Sequence, residues 1–182
     1  MLEFETHTAE TAPEASKKIL QGAKAKLSFV PNLLGKMAEA PALLEAYTTL
    51  AGIFEKADLS ATERQVIMMS VNRLNGCTYC MAAHSTIARK AGVPEDVIEA
   101  LRNNTSIADP KLEALRQFTI VVLENHGLPS EADMAAILAA GYTKQTMLEV
   151  VLGIGYKTLS NYTNHLAHTK VDDTFSADAW SA

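Results

Sequence analysis

The stretch that decides the fold is residues 60–92, SATERQVIMMSVNRLNGCTYCMAAHSTIARKAG. Ser60 and Glu63 have the spacing of a capping box, which predicts that a helix begins after Ser60. The Asn-Gly pair at 75–76 predicts the end of that helix, and Gly92 predicts the end of a second one, because glycine suits the left-handed backbone that often follows a helix. The stretch therefore predicts two helices joined by a tight turn.

The rest of the chain continues this helical pattern. Helix-forming residues dominate, and the alternation of apolar and polar residues that is typical of a strand is missing. A capping box is expected at Thr11 with Glu14, and further helix caps are expected at Asp109, Ser130 and Thr143. Because the connections are short, neighbouring helices should be antiparallel. The sequence predicts an all-α antiparallel bundle.

Three segments are expected: a helical extension over residues 1–27, a helical domain over 28–168 and a poorly ordered tail over 169–182. In the tail, Phe175 and Trp180 are the side chains able to dock on a neighbour.

Composition narrows the class of protein. The chain has 182 residues, 48% of them hydrophobic, and a net charge of −5, which disfavours a nucleic-acid partner. Charged residues interrupt every long apolar stretch, so no membrane segment is expected. The first ten residues, MLEFETHTAE, lack the apolar core of a signal peptide, so we expect a cytoplasmic protein. In that reducing compartment two cysteines are more often catalytic or metal-binding than structural.

The candidate site is the segment from Cys77 through Cys80 to His84. Two cysteines three residues apart at a helix start are able to form a disulfide, and the free amide groups of the first turn favour a thiolate. His84 lies one turn beyond Cys80, where an imidazole is able to take or relay a proton. This pattern predicts a redox-active dithiol.

Two alternatives remain open on these residues. Cys77, Cys80 and His84 are able to supply three zinc ligands, with His165 or His168 as a fourth, although a second cysteine pair is missing from the sequence. Alternatively, the same dithiol serves a redox sensor or adaptor that changes its binding without efficient turnover. We favour redox chemistry over metal binding.

The motif resembles that of the alkylhydroperoxidase D-like family, which is grouped with the carboxymuconolactone decarboxylases. The matching residues are Leu59-Ser60, the string from Arg73 to Cys80, Ala83-His84-Ser85, the segment at 29–34 and the helix that begins at Pro41. The resemblance extends from about residue 28 to 168.

The resemblance implies an AhpD-like all-helical fold that assembles as trimers or hexamers. It implies a peroxidase that reduces a hydroperoxide substrate without a cofactor or metal and is reset by an unknown thiol or disulfide reductant. Cys80 would attack the peroxide, Cys77 would resolve the intermediate, and His84 matches the family histidine. The decarboxylase branch lacks the cysteine pair, so that activity is disfavoured.

One position departs from the family pattern. Gln65 occupies the place of the family's relay glutamate, and an amide does not accept a proton as a carboxylate does. Glu63 is near in sequence, but the capping box is its expected role. Tyr79, between the cysteines, is expected to pack at the helix start, with its hydroxyl as a candidate contact to the site.

The last helix supplies the remaining expectations. Tyr162 and His165 lie three residues apart, and we favour a half-buried helix face over a pocket or a subunit contact for them. Apolar residues cover more than one face of the segment 147–159, which predicts a homo-oligomer. Gly153 and Gly155 would permit a close helix approach there.

Overall fold

The computed structural model describes residues 3–181, so the first two residues of the expected extension and the last residue of the expected tail lie outside the described residues. Over that range the chain is helical without a strand, which confirms the all-α prediction. The helices are α1 Glu14–Leu27, α2 Asn32–Met37, α3 Pro41–Phe54, α4 Ala61–Leu74, α5 Thr78–Lys90, α6 Glu95–Asn103, α7 Pro110–Glu124, α8 Glu131–Ala139, α9 Lys144–Ala167 and a 3₁₀ helix, Asp173–Asp178.

The helix starts follow local chemistry. At α4 the Ser60 hydroxyl accepts the Glu63 N–H and the Glu63 carboxylate accepts the Ser60 N–H, which confirms the predicted capping box. The box expected at Thr11 is wrong, because Pro13 is the N-cap of α1 and no side chain caps that helix. The Thr11 side chain instead accepts the Thr8 N–H at 3.0 Å, in the turn before α1.

Helix α4 is the centre of the bundle. It packs against α5, α6, α7 and α9, and the eight residues from Gln65 to Asn72 are all buried. A helix that is buried on every face needs its polar residues satisfied inside the core. Asn161 of α9 donates to Asn72 at 3.0 Å, and Asn72 donates to the Cys80 carbonyl at 3.3 Å. These bonds fix α4, α5 and α9 relative to one another.

The C-terminal segment is ordered, so the expectation of a poorly ordered tail is wrong over residues 169–181. The 3₁₀ helix packs against α5, and Phe175 lies edge to face with Tyr79 of the same chain. Asp172, which is 8% exposed, accepts hydrogen bonds from the Tyr79 hydroxyl at 2.5 Å and from the Asn32 N–H at 3.1 Å. Asp178 forms an ion pair with Arg89. The division of the chain into extension, domain and tail stays a prediction.

The two glycines of α9 have different surroundings. A Cβ on Gly153 would lie 2.7 Å from Ile67 Cγ2 and 3.0 Å from a Phe54 ring carbon, whereas a Cβ on Gly155 would meet nothing within 4 Å. Gly153 therefore permits close approach of α9 to α3 and α4 within one chain, and the Gly155 position is open.

Replacing Gly153 by alanine is expected to lower the free energy of unfolding by about 1–2 kcal/mol, because overpacking of a close helix contact outweighs the gain in helix propensity. Gly155→Ala is the matched control on the same helix and should leave stability unchanged or raise it by up to about 1 kcal/mol. Urea denaturation of both variants measures the difference. Equal stability of the two variants would contradict the packing at Gly153.

The outer face of α9 exposes large apolar side chains, namely Leu148, Val151, Tyr162 and Leu166. Such a face is compatible with the predicted homo-oligomer, which stays a prediction. Among the described residues, no helix is long and apolar enough to cross a membrane.

Candidate active site

The two cysteines lie at the start of α5 as free, buried thiols. Cys77 is the N-cap, and its sulfur accepts the Cys80 N–H at 3.4 Å. Cys80 is in the first turn, where backbone amides without helical partners favour negative charge. The local sequence therefore places both sulfurs at the positive end of one helix.

Helix α9 forms the other half of the site. A polar stripe at helical spacing faces the sulfurs, and its members are Lys157, Ser160, Asn161 and Asn164. Asn164 Nδ2 lies 3.2 Å from Cys80 Sγ and 3.6 Å from Cys77 Sγ, so one amide group donates toward both sulfurs. The Asn164 Oδ1 atom is buried and has no hydrogen-bond partner among residues 3–181. Ser160 Oγ is 3.6 Å from Cys80 Sγ.

A buried hydrogen-bonded chain joins α4, α5 and α9. His84 Nδ1 donates to Gln65 Oε1 at 2.9 Å, and Lys157 Nζ donates to His84 Nε2 at 2.9 Å. The glutamine oxygen accepts only, so it selects the His84 tautomer that leaves Nε2 free to accept from lysine. Sequence spacing predicts that His84 takes or relays a proton at Cys80, and in the structure its two ring nitrogens are hydrogen-bonded to Gln65 and Lys157.

The surroundings of the two thiols shift their pKa values in opposite directions. Burial raises the pKa of Cys80, but the hydrogen bond from Cys77, the positive charge of Lys157 and the contact with Ser160 lower the pKa of Cys80 to about 5. The hydrogen bond to Cys80, together with burial, raises the pKa of Cys77 above its ordinary value. The pair therefore consists of a Cys80 thiolate and a protonated Cys77 near neutral pH.

The surroundings of His84 favour its neutral form. Burial lowers the pKa of His84 well below its usual range, and the neighbouring Lys157 charge lowers it further. A neutral imidazole is a good acceptor for the lysine ammonium. The arrangement orients Lys157 without adding a second positive charge.

A cavity of about 830 Å³, here called the thiol cavity, reaches Cys80, His84 and Lys157. Its walls are mainly apolar and aromatic, and they include Phe29, Tyr47, Tyr156 and Phe175. The rings of Tyr47 and Tyr156 are stacked, with 4.9 Å between their centroids. Cys80 lines this cavity and Cys77 does not, so a substrate in the cavity meets the Cys80 sulfur.

Other predicted residues lie outside this chemistry. The Glu63 carboxylate is engaged in the capping box of α4, and the Tyr79 hydroxyl is bonded to Asp172. Tyr162 and His165 are exposed and stack on each other at 6.5 Å between ring centroids. Over residues 3–181, no group of three His, Cys, Asp or Glu side chains is placed to hold a metal ion.

Sequence reasoning did not identify Lys157 or Asn164. A signal was present, because Lys157 is the only charged residue between Val150 and Asn164. A lysine inside an apolar helical stretch, followed at helical spacing by Ser160 and Asn164, is typical of a polar stripe that faces a buried site.

Comparison with known proteins finds a family model that matches part of the chain. Residues 41–120 match the model of the Carboxymuconolactone decarboxylase family. The uncharacterized protein YdfG of Bacillus subtilis (strain 168) is 27% identical over 92 residues, or 48% of this chain. The match spans 58% of the length of that relative.

Solved structures extend the likeness to nearly the whole chain. An alkylhydroperoxidase AhpD core, an uncharacterized peroxidase-related protein from Ralstonia eutropha JMP134, has a TM-score of 0.84 at 22% identity, with 95% of this chain and 93% of that chain covered. The debrominase Bmp8, as a cysteine-to-alanine variant in complex with 2,3,4-tribromopyrrole, has a TM-score of 0.79 at 16% identity, with 98% and 95% covered. At such identities the likeness establishes the fold alone. The resemblance found in the sequence is confirmed: residues 41–120 match the model of the carboxymuconolactone decarboxylase family, and the fold of the chain is AhpD-like.

Proposed function

We propose that the chain is a thiol-dependent peroxidase in which Cys80 attacks a hydroperoxide and Cys77 resolves the product. The observation that carries the proposal is the position of Cys80, which lines the thiol cavity and has its pKa lowered to about 5. The thiolate is the nucleophilic form of cysteine. The description of the Ralstonia eutropha structure as peroxidase-related supports the same chemistry.

The first step oxidises Cys80. Its thiolate attacks the terminal oxygen of the hydroperoxide, so an S–O bond forms, the O–O bond breaks and Cys80 becomes a sulfenic acid. The remaining alkoxide takes a proton and leaves as an alcohol, reduced by two electrons. Lys157 is the donor we assign to that proton, because its ammonium group lines the cavity beside His84.

The second step closes the disulfide. The Cys77 sulfur attacks the Cys80 sulfur, an S–S bond forms, and the S–O bond breaks. The leaving hydroxide takes the Cys77 proton and becomes water. Asn164, which contacts both sulfurs, holds them together for this step. An external dithiol then supplies two electrons and two protons. One proton returns to Cys77 and the other restores the Lys157 ammonium, so Cys80 is released as the thiolate.

His84 and Gln65 act as positioning residues in this proposal. Gln65 fixes the tautomer of His84, and His84 in turn orients the Lys157 ammonium. Gln65 therefore holds His84 in position without the negative charge that a relay glutamate would add there. The cytoplasmic location and the homo-oligomer expected from the sequence belong to the same proposal.

The test is a stoichiometry. Reduced protein treated with cumene hydroperoxide should lose its two free thiols and consume one hydroperoxide per chain, because both cysteines enter one disulfide. Dithiothreitol should restore the thiols and support repeated turnover. Thiol counting with a chromogenic disulfide and peroxide assay measure both quantities.

Two outcomes would contradict the peroxidase. Oxidation of both thiols with no turnover under excess dithiothreitol would favour the redox sensor instead. Retention of both thiols would reject dithiol chemistry altogether, and stoichiometric zinc in the same preparation would then favour the metal-binding alternative.

A further inference from the structure

The thiol cavity follows one face of α5. Cys80, Ala83, Ile87 and Lys90 all line it, at alternating spacings of three and four residues. Residues at that spacing share a helix face, so the cavity extends from the sulfur toward the end of the helix. Lys90 lies ten positions after Cys80, which corresponds to roughly 15 Å along the helix axis. The cavity is therefore long as well as apolar.

Part of the wall that α1 and α3 form lacks large side chains. Residues without large side chains line the cavity from α1 and α3, namely Gly22, Ala23, Ala51 and Gly52. Gly22 and Gly52 are exposed, and a Cβ added to either would meet nothing within 4 Å, so the cavity is open to solvent along this wall. The length suits a flexible chain rather than a compact polar peroxide.

Two exposed lysines, Lys26 of α1 and Lys90 of α5, line the cavity and are here called the entrance lysines. Cys80, which also lines the cavity, is 2% exposed. Among the described residues, Glu55 is the one carboxylate that lines the cavity, and it is also exposed, so the exposed part of the lining carries two lysines against one carboxylate. A cationic entrance on a chain of net charge −5 favours an anionic group of the ligand.

We infer that the substrate of the proposed peroxidase is an amphiphile, a hydroperoxide on a long apolar chain that ends in a carboxylate. The chain would occupy the apolar walls, with the peroxide group at Cys80 and the carboxylate between Lys26 and Lys90. This inference rests on the proposed function for the peroxide group alone. The preference for an anionic amphiphile stands on the cavity and its entrance.

Binding can be measured without peroxide chemistry. The Cys80→Ser protein is titrated by calorimetry with dodecanoate and with its methyl ester, which differ in charge and share the chain. Dodecanoate should bind about tenfold more tightly, since two partly exposed ion pairs each contribute a few-fold. Lys26→Glu combined with Lys90→Glu should abolish that preference.

The matched control reverses two lysines that do not line the cavity. Lys18→Glu combined with Lys144→Glu gives the same change in net charge on exposed positions of α1 and α9. It should keep the tenfold preference, because the attraction is local to the entrance. Equal loss in both double variants would show a general charge effect and would overturn the inference.

A second variant tests the apolar passage. Gly52→Leu places a side chain into the free space beside α3 and should weaken dodecanoate binding at least tenfold, while leaving the entrance lysines in place. Equal affinity of the Cys80→Ser protein for dodecanoate and its methyl ester would overturn the inference even if the wild-type protein reduces hydroperoxides. Dodecanoate binding without peroxide reduction would instead support this ligand class and reject the proposed peroxidase.

Discussion

Replacement of Cys80 by serine is expected to lower the rate of hydroperoxide reduction by at least about 1000-fold, because a serine hydroxyl in this site has no base to activate it and cannot be oxidised. Cys80 is the sulfur that lines the thiol cavity, and no other thiol of the chain does so. Peroxide consumption in the presence of dithiothreitol measures the loss.

Cys77→Ser is the control for that experiment. It keeps a hydroxyl that can donate to Cys80, and it leaves Cys80 able to attack the peroxide once. Burst kinetics should show one turnover, followed by a sulfenic acid that a dimedone reagent traps. If the Cys80→Ser protein retained turnover, or the Cys77→Ser protein showed no burst, the roles of the two cysteines would be wrong.

Replacement of Lys157 by methionine is expected to raise the pKa of Cys80 from about 5 toward or above the ordinary value for cysteine. At pH 7 a thiol with a pKa of about 8.5 is only a few per cent ionised, so the reaction with hydroperoxide should slow roughly 30-fold. Methionine preserves the length and the packing of the buried stem.

The pH dependence of the reaction shows the direction in which the pKa of Cys80 changes. A lowered pKa means that the wild-type thiolate persists at neutral pH and is lost as the pH falls through about 5. In the Lys157→Met protein the loss should occur at a pH several units higher, so activity should recover in alkaline buffer. The rate of iodoacetamide alkylation, followed from pH 4 to 10 in the Cys77→Ser background, reports this curve.

Lys157→Arg keeps the charge and is the conservative control. It should retain a low pKa at Cys80, although its longer side chain changes the contact with His84. An unchanged alkylation curve in the Lys157→Met protein would remove Lys157 from the set of groups that activate Cys80. Urea denaturation of both variants checks that the fold is retained.

Local chemistry was predictable from the sequence. The capping box at Ser60, the turn at 75–76 and the dithiol helix all depend on residues within a few positions of one another. The motif residues Cys80, His84 and Gln65 also lie together, because α4 and α5 are consecutive helices that pack against each other and bring residues close in sequence into contact. Such features require only helix geometry.

The contribution of α9 was not predictable in the same way. Lys157 and His84 are 73 residues apart, and no local pattern states that α9 crosses α5 at the sulfurs. Asp172 is a similar case, since its partner Tyr79 lies 93 residues away. A short polar segment after the last helix looks like a loose tail until a distant hydroxyl is known to bind its carboxylate.

The Gln65–His84–Lys157 chain has a consequence for the driving force of the cycle. It contains one cation and no carboxylate, so the Cys80 thiolate is the counterion of Lys157 in the reduced protein. Disulfide formation removes that counterion, and because Lys157 has given its proton to the alkoxide, the oxidised protein lacks the attraction between thiolate and ammonium. In the proposed cycle the reduced state is therefore favoured over the disulfide, so we expect a high reduction potential for the disulfide and regeneration of both thiols by a mild electron donor.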